Sequence, residues 1–469
     1  MFSVKIDAVD ITPAQVEGNS QNVFKSTKFV LLKPKWVSDD SASLCVLCRN
    51  KFNQIRRRHH CRCCGLVLCS KCCSNRVPVP QYMIDTPERV CNACLPVVSS
   101  VTMSHSNDHE FHERAVSSLE LICRDNPASV MSLGGAQTLV YLAKLLNASN
   151  MKILNSITAC LHTLSLHSGA ISWLSEIGVI DAVNHILQIS SSASDQPTMA
   201  TEALNTLRIF VKTSDDLKRK AVISGCVPPL LDLSESDNPF VSLIAMTTLC
   251  LIAECRDNHS AILSQKNSLR KLLTKISNSK DEKEVEIILR IMMLMSAGNA
   301  ETKHMIVCED SSVGSVMSQV IKSRSSNPQI LSNAACAIAN LATSIDDQVG
   351  LQSSLQAIVS VLDRPQPGYV IVHFVRAFGN FAKHEIHTNT LLANLGNIMK
   401  FLDGTHGPKI NGHAVKCIFN LLKHRRAETV KQISRFGTDN LILRITEMES
   451  VMLELLRSLD REALSLETS

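Results

Sequence analysis

Eight cysteines in the first hundred residues stand in four Cys-x2-Cys pairs: Cys45 with Cys48, Cys61 with Cys64, Cys69 with Cys72, and Cys91 with Cys94. Each pair can direct two thiolates at one ion, and a closed structural zinc site takes four such ligands, so eight cysteines imply two Zn2+. No ligand position is left for water. The zinc is therefore expected to be structural, and a segment of about 60 residues with few large apolar side chains is expected to fold only with metal bound. Of 18 cysteines, ten lie between Cys45 and Cys94 and the other eight are scattered singly downstream. Paired spacing without a signal peptide points to metal ligation in a reducing compartment, not to disulfides. Cys63 and Cys73 fall outside the pairs and are read as bystanders.

Between the pairs run Arg56-Arg57-Arg58-His59-His60-Cys61-Arg62, with Arg89 just before Val90-Cys91 and Trp36-x-x-Asp39 upstream of the first pair. Arg57, Arg58, Arg62 and Arg89 are forked donors suited to phosphate oxygens. Zinc sites would pin the backbone that presents them. Asp39 accepts hydrogen bonds and repels phosphate, so beside a basic pocket it would select ring hydroxyls and penalise extra phosphates. His59 and His60 complete the donor set, His60 toward a further hydroxyl. The plainer alternative is a basic run that is merely solvated.

This arrangement of W-x-x-D, R-R-H-H-C-R-x-C-G and R-V-C around eight cysteines resembles a FYVE zinc finger over about residues 35–97. The resemblance implies a cross-brace. Cys45, Cys48, Cys69 and Cys72 would hold one zinc, and Cys61, Cys64, Cys91 and Cys94 the other. It implies phosphatidylinositol 3-phosphate as ligand, bound by Asp39, Arg57, Arg58, His59, His60, Arg62 and Arg89. The family also tends to carry an apolar pair before the arginine motif that enters the bilayer. Here Asn53-Gln54-Ile55 offers only Ile55, which predicts modest affinity for a single headgroup and reliance on basic surface and avidity.

From about residue 108 the chain repeats. SLELIC, CLHTLS, TLRIFV, TLCLIA, IMMLMS, AIANLA, AFGNFA and CIFNLL align on Leu121, Thr163, Ile209, Leu251, Leu294, Asn340, Asn380 and Asn420, in steps of 40 to 46 residues. Apolar residues at helical spacing with this period indicate a solenoid in which each unit buries its face against its neighbours. Gly134, Gly178 and Gly225 recur as helix-ending turns. The pattern resembles about eight armadillo repeats, most closely in the last three, where a form near A-x-x-N-L-A survives. By that resemblance Asn340, Asn380 and Asn420 would hydrogen-bond the backbone of an extended peptide. Four residues before each Asn stand Cys336, Arg376 and Lys416, not tryptophan, which argues against a nuclear-import adaptor and favours an acidic peptide. The same asparagines also suit a purely architectural array.

The organisation expected is an N-terminal extension of unassigned role (1–34), the finger (35–97), a polar linker (98–108) and helical repeats (109–469). Residues 441–459 carry apolar positions in steps of 4, 3, 4, 3 and 4, read as a solenoid cap or, alternatively, a short coiled-coil dimer helix. The fold class is a small two-zinc module followed by an all-α solenoid. Composition agrees, since 17 Gly, 15 Pro and 4% aromatics are low for a sandwich or a disordered chain. The first hundred residues hold 14 Lys+Arg against 7 Asp+Glu, whereas the rest hold 34 against 36. No run of about 18 apolar residues is present, which predicts no spanning helix.

With no open metal site, no phosphate-cradling glycine loop and no nucleophile beside its base, no enzyme chemistry is expected. The reading is a cytosolic adaptor: the finger recruits it to endosomal membranes bearing the 3-phosphate lipid, and the repeats hold a protein partner. Two alternatives stand beside it. One is a RING-like ubiquitin-ligase adaptor, which would leave the arginine, histidine and aspartate set unexplained. The other is a basic module that binds lipid or nucleic acid without specificity, with affinity falling steeply in salt.

Overall fold

The computed structural model describes residues 4–6, 9–11, 14–17, 21–26, 29–192, 197–402 and 406–435. The apolar segment 441–459 lies outside the described residues. The chain divides into two compact units, Met1–Ile252 and Ala253–Ser469.

The first unit begins with β1 (Val4–Ile6) and β2 (Val9–Ile11), an antiparallel pair. The finger follows as two hairpins, β3 (Arg58–His60) with β4 (Val67–Cys69), and β5 (Asn75–Val79) with β6 (Ile84–Val90). Helices then take over. α1 (Leu95–Ser104) and α2 (His109–Asp125) lead into three sets: α3 (Pro127–Ser132), α4 (Gly135–Leu145) and α5 (Met151–Ser165); α6 (Ile171–Ile177), α7 (Val179–Ser192) and α8 (Pro197–Val211); α9 (Asp215–Ile223), α10 (Val227–Leu233) and α11 (Pro239–Ala253). The second unit continues with α12 (His259–Leu263), α13 (Ser268–Asn278) and α14 (Glu282–Ser296), then α15 (Ala300–Ser312), α16 (Val316–Ser323) and α17 (Pro328–Leu341). Next come α18 (Gln352–Val361) with α19 (Gly368–Phe381), whose set replaces its first helix by a turn, and finally α20 (Thr388–Ala393), α21 (Leu395–Met399) and α22 (Pro408–Arg435).

The eight aligned sequence positions fall one on each of α2, α5, α8, α11, α14, α17, α19 and α22, so the repeat array expected from the period is the one observed. Within the first unit α2, α5 and α8 pack side by side; within the second, α14, α17, α19 and α22 do. No repeat can bury its apolar face alone, which is why the same face recurs at every step. Polar caps start the helices. Asp108 accepts from Glu110 N before α2, Asp281 from Lys283 N before α14, and Asn327 from Gln329 N before α17, each satisfying an orphan amide.

Residues 98–108, expected to be a polar linker, instead belong mostly to α1. Cys94, the last zinc ligand, stands at its N-cap, and Val97, Val98 and Val101 are buried where α1 packs on α2 and α4. Three valines at helical spacing need cover, and the first repeat supplies it.

The N-terminal extension also has a structural place. The described residues 14–17, 21–26 and 29–31 fold back through the Val16–Leu31 bridge and lie against the first repeats. Ala14 N donates to Met131 O at 3.1 Å, and Ala14 O accepts from Gln137 Nε2 at 2.9 Å and from the Trp173 indole N–H at 3.1 Å. Asn22 donates to Asp181, and Lys144 Nζ to Ser26 O at 2.7 Å. Val23, Phe29 and Leu31 are buried, with Phe29 edge-on to Tyr141. Leu31 N donates to Gln81 O at 2.7 Å, joining this strap to the finger. Gly178, at φ +100°, lets the strap approach: a Cβ there would collide with Asn22.

Two histidines make the second unit acid-sensitive. Burial first, and then Arg376 and His413, push His373 down to about 4; burial and then His384 do the same for His387. Each is neutral when folded and binds its proton more tightly when unfolded. Stability is therefore full above pH 6.5 and falls as pH drops toward 4, by on the order of 1–2 kcal/mol for each histidine after allowing for solvent. The urea midpoint of the unit should fall between pH 7 and pH 5, and His387→Gln, which keeps a donor for Gln348 Oε1, should flatten that fall. An unchanged pH dependence in the variant refutes this account.

Candidate functional site

The four Cys-x2-Cys pairs assemble into two clusters, and in each the four sulfurs lie within 4.8 Å of one another. Cys45, Cys48, Cys69 and Cys72 form one; Cys61, Cys64, Cys91 and Cys94 form the other. First pairs with third and second with fourth, which is the cross-brace. Each knuckle turns on a backbone bond to its first cysteine, such as Gly65 N to Cys61 O at 2.9 Å and Cys94 N to Cys91 O at 3.1 Å. Backbone amides also reach the sulfurs: Cys69 N to Cys45 Sγ at 3.4 Å and Cys91 N to Cys61 Sγ at 3.3 Å. Cys48 is lowered to about 6 by the backbone N–H of Asn50 and then by its side-chain amide. Hydrogen bonding with Cys64, first among its partners, drives Cys61 toward thiolate, while Cys61 in turn pushes Cys64 up. Four sulfur donors in a closed shell, braced by N–H groups, fit two structural zinc ions. Cys63 and Cys73 are buried outside both clusters.

Zinc and hairpins together position the charged residues. In the β3–β4 hairpin Arg58 lies opposite Cys69 and His60 opposite Val67; in β5–β6, Arg89 lies opposite Arg76. Arg62 N donates to Arg89 O at 2.9 Å, binding the two arginine motifs together. The W-x-x-D segment docks through Val37 N to Gly65 O at 3.0 Å. Gly65 has φ +71°, and a Cβ on it would come within 2.8 Å of Lys35 O. Only glycine fits between the knuckle and this segment.

The expected headgroup residues divide into two groups. Trp36 is sandwiched: the His60 ring stacks on it at 4.6 Å, and the Arg62 guanidinium sits 4.6 Å from its centroid. His60 Nε2 is 2.8 Å from Val37 O and 3.9 Å from Asp39 Oδ1, and Arg62 Nε pairs with Glu88 Oε2 at 3.3 Å. These side chains brace the site. Arg57 and Arg58 are exposed, with Arg58 Nε on Ala42 O at 3.0 Å over the Phe52 ring. Arg89 Nη1 holds Cys73 O at 2.8 Å. Burial first, then Arg89 and then Arg57, push His59 below its ordinary value, so two guanidinium groups act on the region of His59. Sequence reasoning missed Glu88 and Phe52. Glu88 could have been found, since it precedes Arg89 in a strand whose partner sets its face.

Ile55 is 94% exposed. Val46 and Leu47, in the first knuckle, are also exposed, and nothing in their spacing singled them out.

The asparagines aligned by the repeat bond within the array. Asn340 Nδ2 donates to Ser296 Oγ at 3.1 Å, Asn380 Nδ2 to Ala339 O at 2.8 Å and Asn420 Nδ2 to Gly379 O at 3.0 Å. Each amide ties its helix to the helix one repeat earlier. Arg376 reaches Cys336 O at 3.2 Å in the same way, and Lys416 is buried. Buried amides must find partners, and the nearest carbonyls are those of the preceding repeat. Asn340, Asn380, Asn420 and Arg376 thus each link one repeat to the one before it.

The fold and site thus define a cross-braced two-zinc module bearing a cationic face, built onto helical repeats. Residues 35–100 match the family model described as FYVE zinc finger. The finger is 44% identical over 64 residues to Lateral signaling target protein 2 homolog of Brugia malayi, covering 14% of this chain and 10% of that protein. It is 37% identical over 93 residues to Putative 1-phosphatidylinositol 3-phosphate 5-kinase of Drosophila melanogaster, covering 20% of this chain and 5% of that one. The chain therefore spans about a tenth or less of these two relatives. Among solved structures, a designed armadillo repeat protein aligns with TM-score 0.45 and 18% identity over 51% of this chain and 99% of its own. An engineered protein aligns with TM-score 0.48 and 18% identity over 78% of this chain and 98% of its own.

Proposed function

We propose that this protein is a membrane-recruited adaptor, in which the finger binds phosphatidylinositol 3-phosphate on endosomal membranes from the cytoplasmic side and the helical repeats hold a protein partner. The observation that carries this reading is the convergence of Arg57, Arg89 and His59 on a zinc-braced surface, with Asp39 beside His60 at its edge. Arginine forks suit phosphate oxygens, and a carboxylate next to them suits hydroxyls and repels a second phosphate. Ile55, with Val46 and Leu47, would enter the bilayer. The chemistry is binding, not turnover, because both metal shells are closed by four cysteines.

Sedimentation of the full-length, zinc-loaded protein with liposomes carrying each monophosphorylated phosphoinositide tests this. The 3-phosphate lipid should bind best, and Arg57→Ala should weaken binding about 10- to 100-fold, the loss of a hydrogen bond between charged groups. Arg57 is exposed, so its removal leaves the fold intact. Equal binding to all acidic lipids, or indifference to Arg57→Ala, overturns the proposal.

A further inference from the structure

Outside the finger, two neighbouring repeats bring a nucleophile, a base and an acid together. α15 carries His304 and Cys308 one turn apart, and the turn between α17 and α18 carries Asp347 to meet them. Cys308 Sγ lies against the His304 ring, 3.5 Å from Nε2 and 3.8 Å from Nδ1, and His304 Nδ1 lies 2.7 Å from Asp347 Oδ1. The Asp347 side chain is 4% exposed, and its other oxygen accepts from Ser344 Oγ at 2.6 Å. A carboxylate fixed in this way keeps the imidazole proton on Nδ1, so Nε2, the ring nitrogen nearer the thiol, is the free acceptor. A nucleophile within reach of a base that a third group orients is the arrangement that activates a thiol.

Exposure separates this thiol from the rest. Among the described cysteines only Cys48 and Cys308 are exposed, and Cys48 belongs to a zinc cluster. Ile345 and Val349, either side of Asp347 in the chain, are open to solvent, as is the His304 side chain at 61%. A small reagent can reach the sulfur directly.

We infer that Cys308 is a modification site, a nucleophilic thiol that undergoes exchange with small-molecule disulfides, with His304 as its base and Asp347 as the positioning residue. The thiol proton passes to His304 Nε2, and the Cys308 sulfur attacks one sulfur of the disulfide. A new S–S bond forms to Cys308 as the old one breaks, and the departing thiolate takes the proton back from His304. The small disulfide is the sole co-reactant. The product is a mixed disulfide on the surface of the repeats. The spacing of 39 residues between Cys308 and Asp347 hides this set from sequence inspection, because only repeat stacking brings the two together.

The test exposes the full-length, zinc-loaded protein to excess oxidised glutathione and follows the Cys308 peptide by mass spectrometry, with a free cysteine derivative as reference thiol. Cys308 should react about tenfold faster than the reference and faster than every other cysteine of the chain. His304→Gln should bring it down to the reference rate. Asp347→Asn should slow it several-fold alone and change nothing further in the His304→Gln background, since Asp347 acts through the ring. The His304 ring is exposed, so its replacement leaves the fold intact even if the buried Asp347 variant fails to fold. A wild-type rate equal to the reference, or one unaffected by His304→Gln, overturns the inference.

Discussion

Cys61→Ser leaves the chain with no more than one zinc and with an unfolded finger; this is the largest effect expected of any single change. Cys61 is fully buried, accepts the Cys91 amide at its sulfur, and shares its cluster with Cys64, Cys91 and Cys94. A serine hydroxyl stays protonated where a thiolate is needed, so one ion loses its fourth ligand. Structural zinc contributes about 10–16 kcal/mol of apparent folding energy in small modules. The finger has little else to rely on. Its hairpin strands are three to seven residues long, and two-stranded hairpins of this size do not stand alone in water. The cross-brace spreads the damage, because Cys61 and Cys64 lie in the sequence between the two pairs of the other cluster. Zinc-to-protein ratio and limited proteolysis within residues 35–94 would read the result. Cys63→Ser is the control, since Cys63 is equally buried but outside both clusters. It should keep two zinc ions. Two ions retained in Cys61→Ser would contradict the cross-braced assignment.

Trp173→Ala should destabilise the first unit by about 3–5 kcal/mol. The side chain is 2% exposed, on α6 in the second helix set, and its indole N–H donates to Ala14 O. Removing it opens a cavity and leaves Ala14 O with Gln137 as its remaining side-chain donor. The strap of residues 14–31 is then held by Asn22, Lys144 and the buried Val23, Phe29 and Leu31. Two readouts separate the effects. Denaturant unfolding reports the cavity, and hydrogen exchange at residues 14–31 reports the strap. Phe29→Ala should loosen the same segment while leaving Trp173 in place. If exchange in the strap is unchanged in Trp173→Ala, the indole contact does not anchor it.

Chemistry and period were legible in the sequence because both are local or strictly repeated. Four Cys-x2-Cys pairs in one short segment read as metal knuckles, and the two sulfurs of each pair meet within a few residues of backbone. A helical face recurring every 40 to 46 residues can only be covered by its copies. The eight ligands and eight repeats could therefore be read before any coordinates. The division into linker and helix at residues 98–108 was not legible: serine and threonine suggest a loop, but Val97, Val98 and Val101 form a helix because α2 and α4 offer them cover. The carbonyls that the repeat asparagines reach were not legible either: their type is compatible with binding a peptide or a neighbouring helix, and only stacking shows that Asn380 and Asn420 bond the helix before them.

Residue type and spacing alone therefore determined the two zinc ions, the cationic motif and the repeating helices, because each rests on contacts between residues close in sequence or repeated along it. The strap of residues 14–31, the pairing of Arg62 with Glu88, and the meeting of Cys308, His304 and Asp347 were decided by packing. They join residues that no local pattern relates, such as Ala14 and Trp173. Which carbonyl a buried amide finds, and which carboxylate orients a histidine, depends on how one repeat stacks on the next.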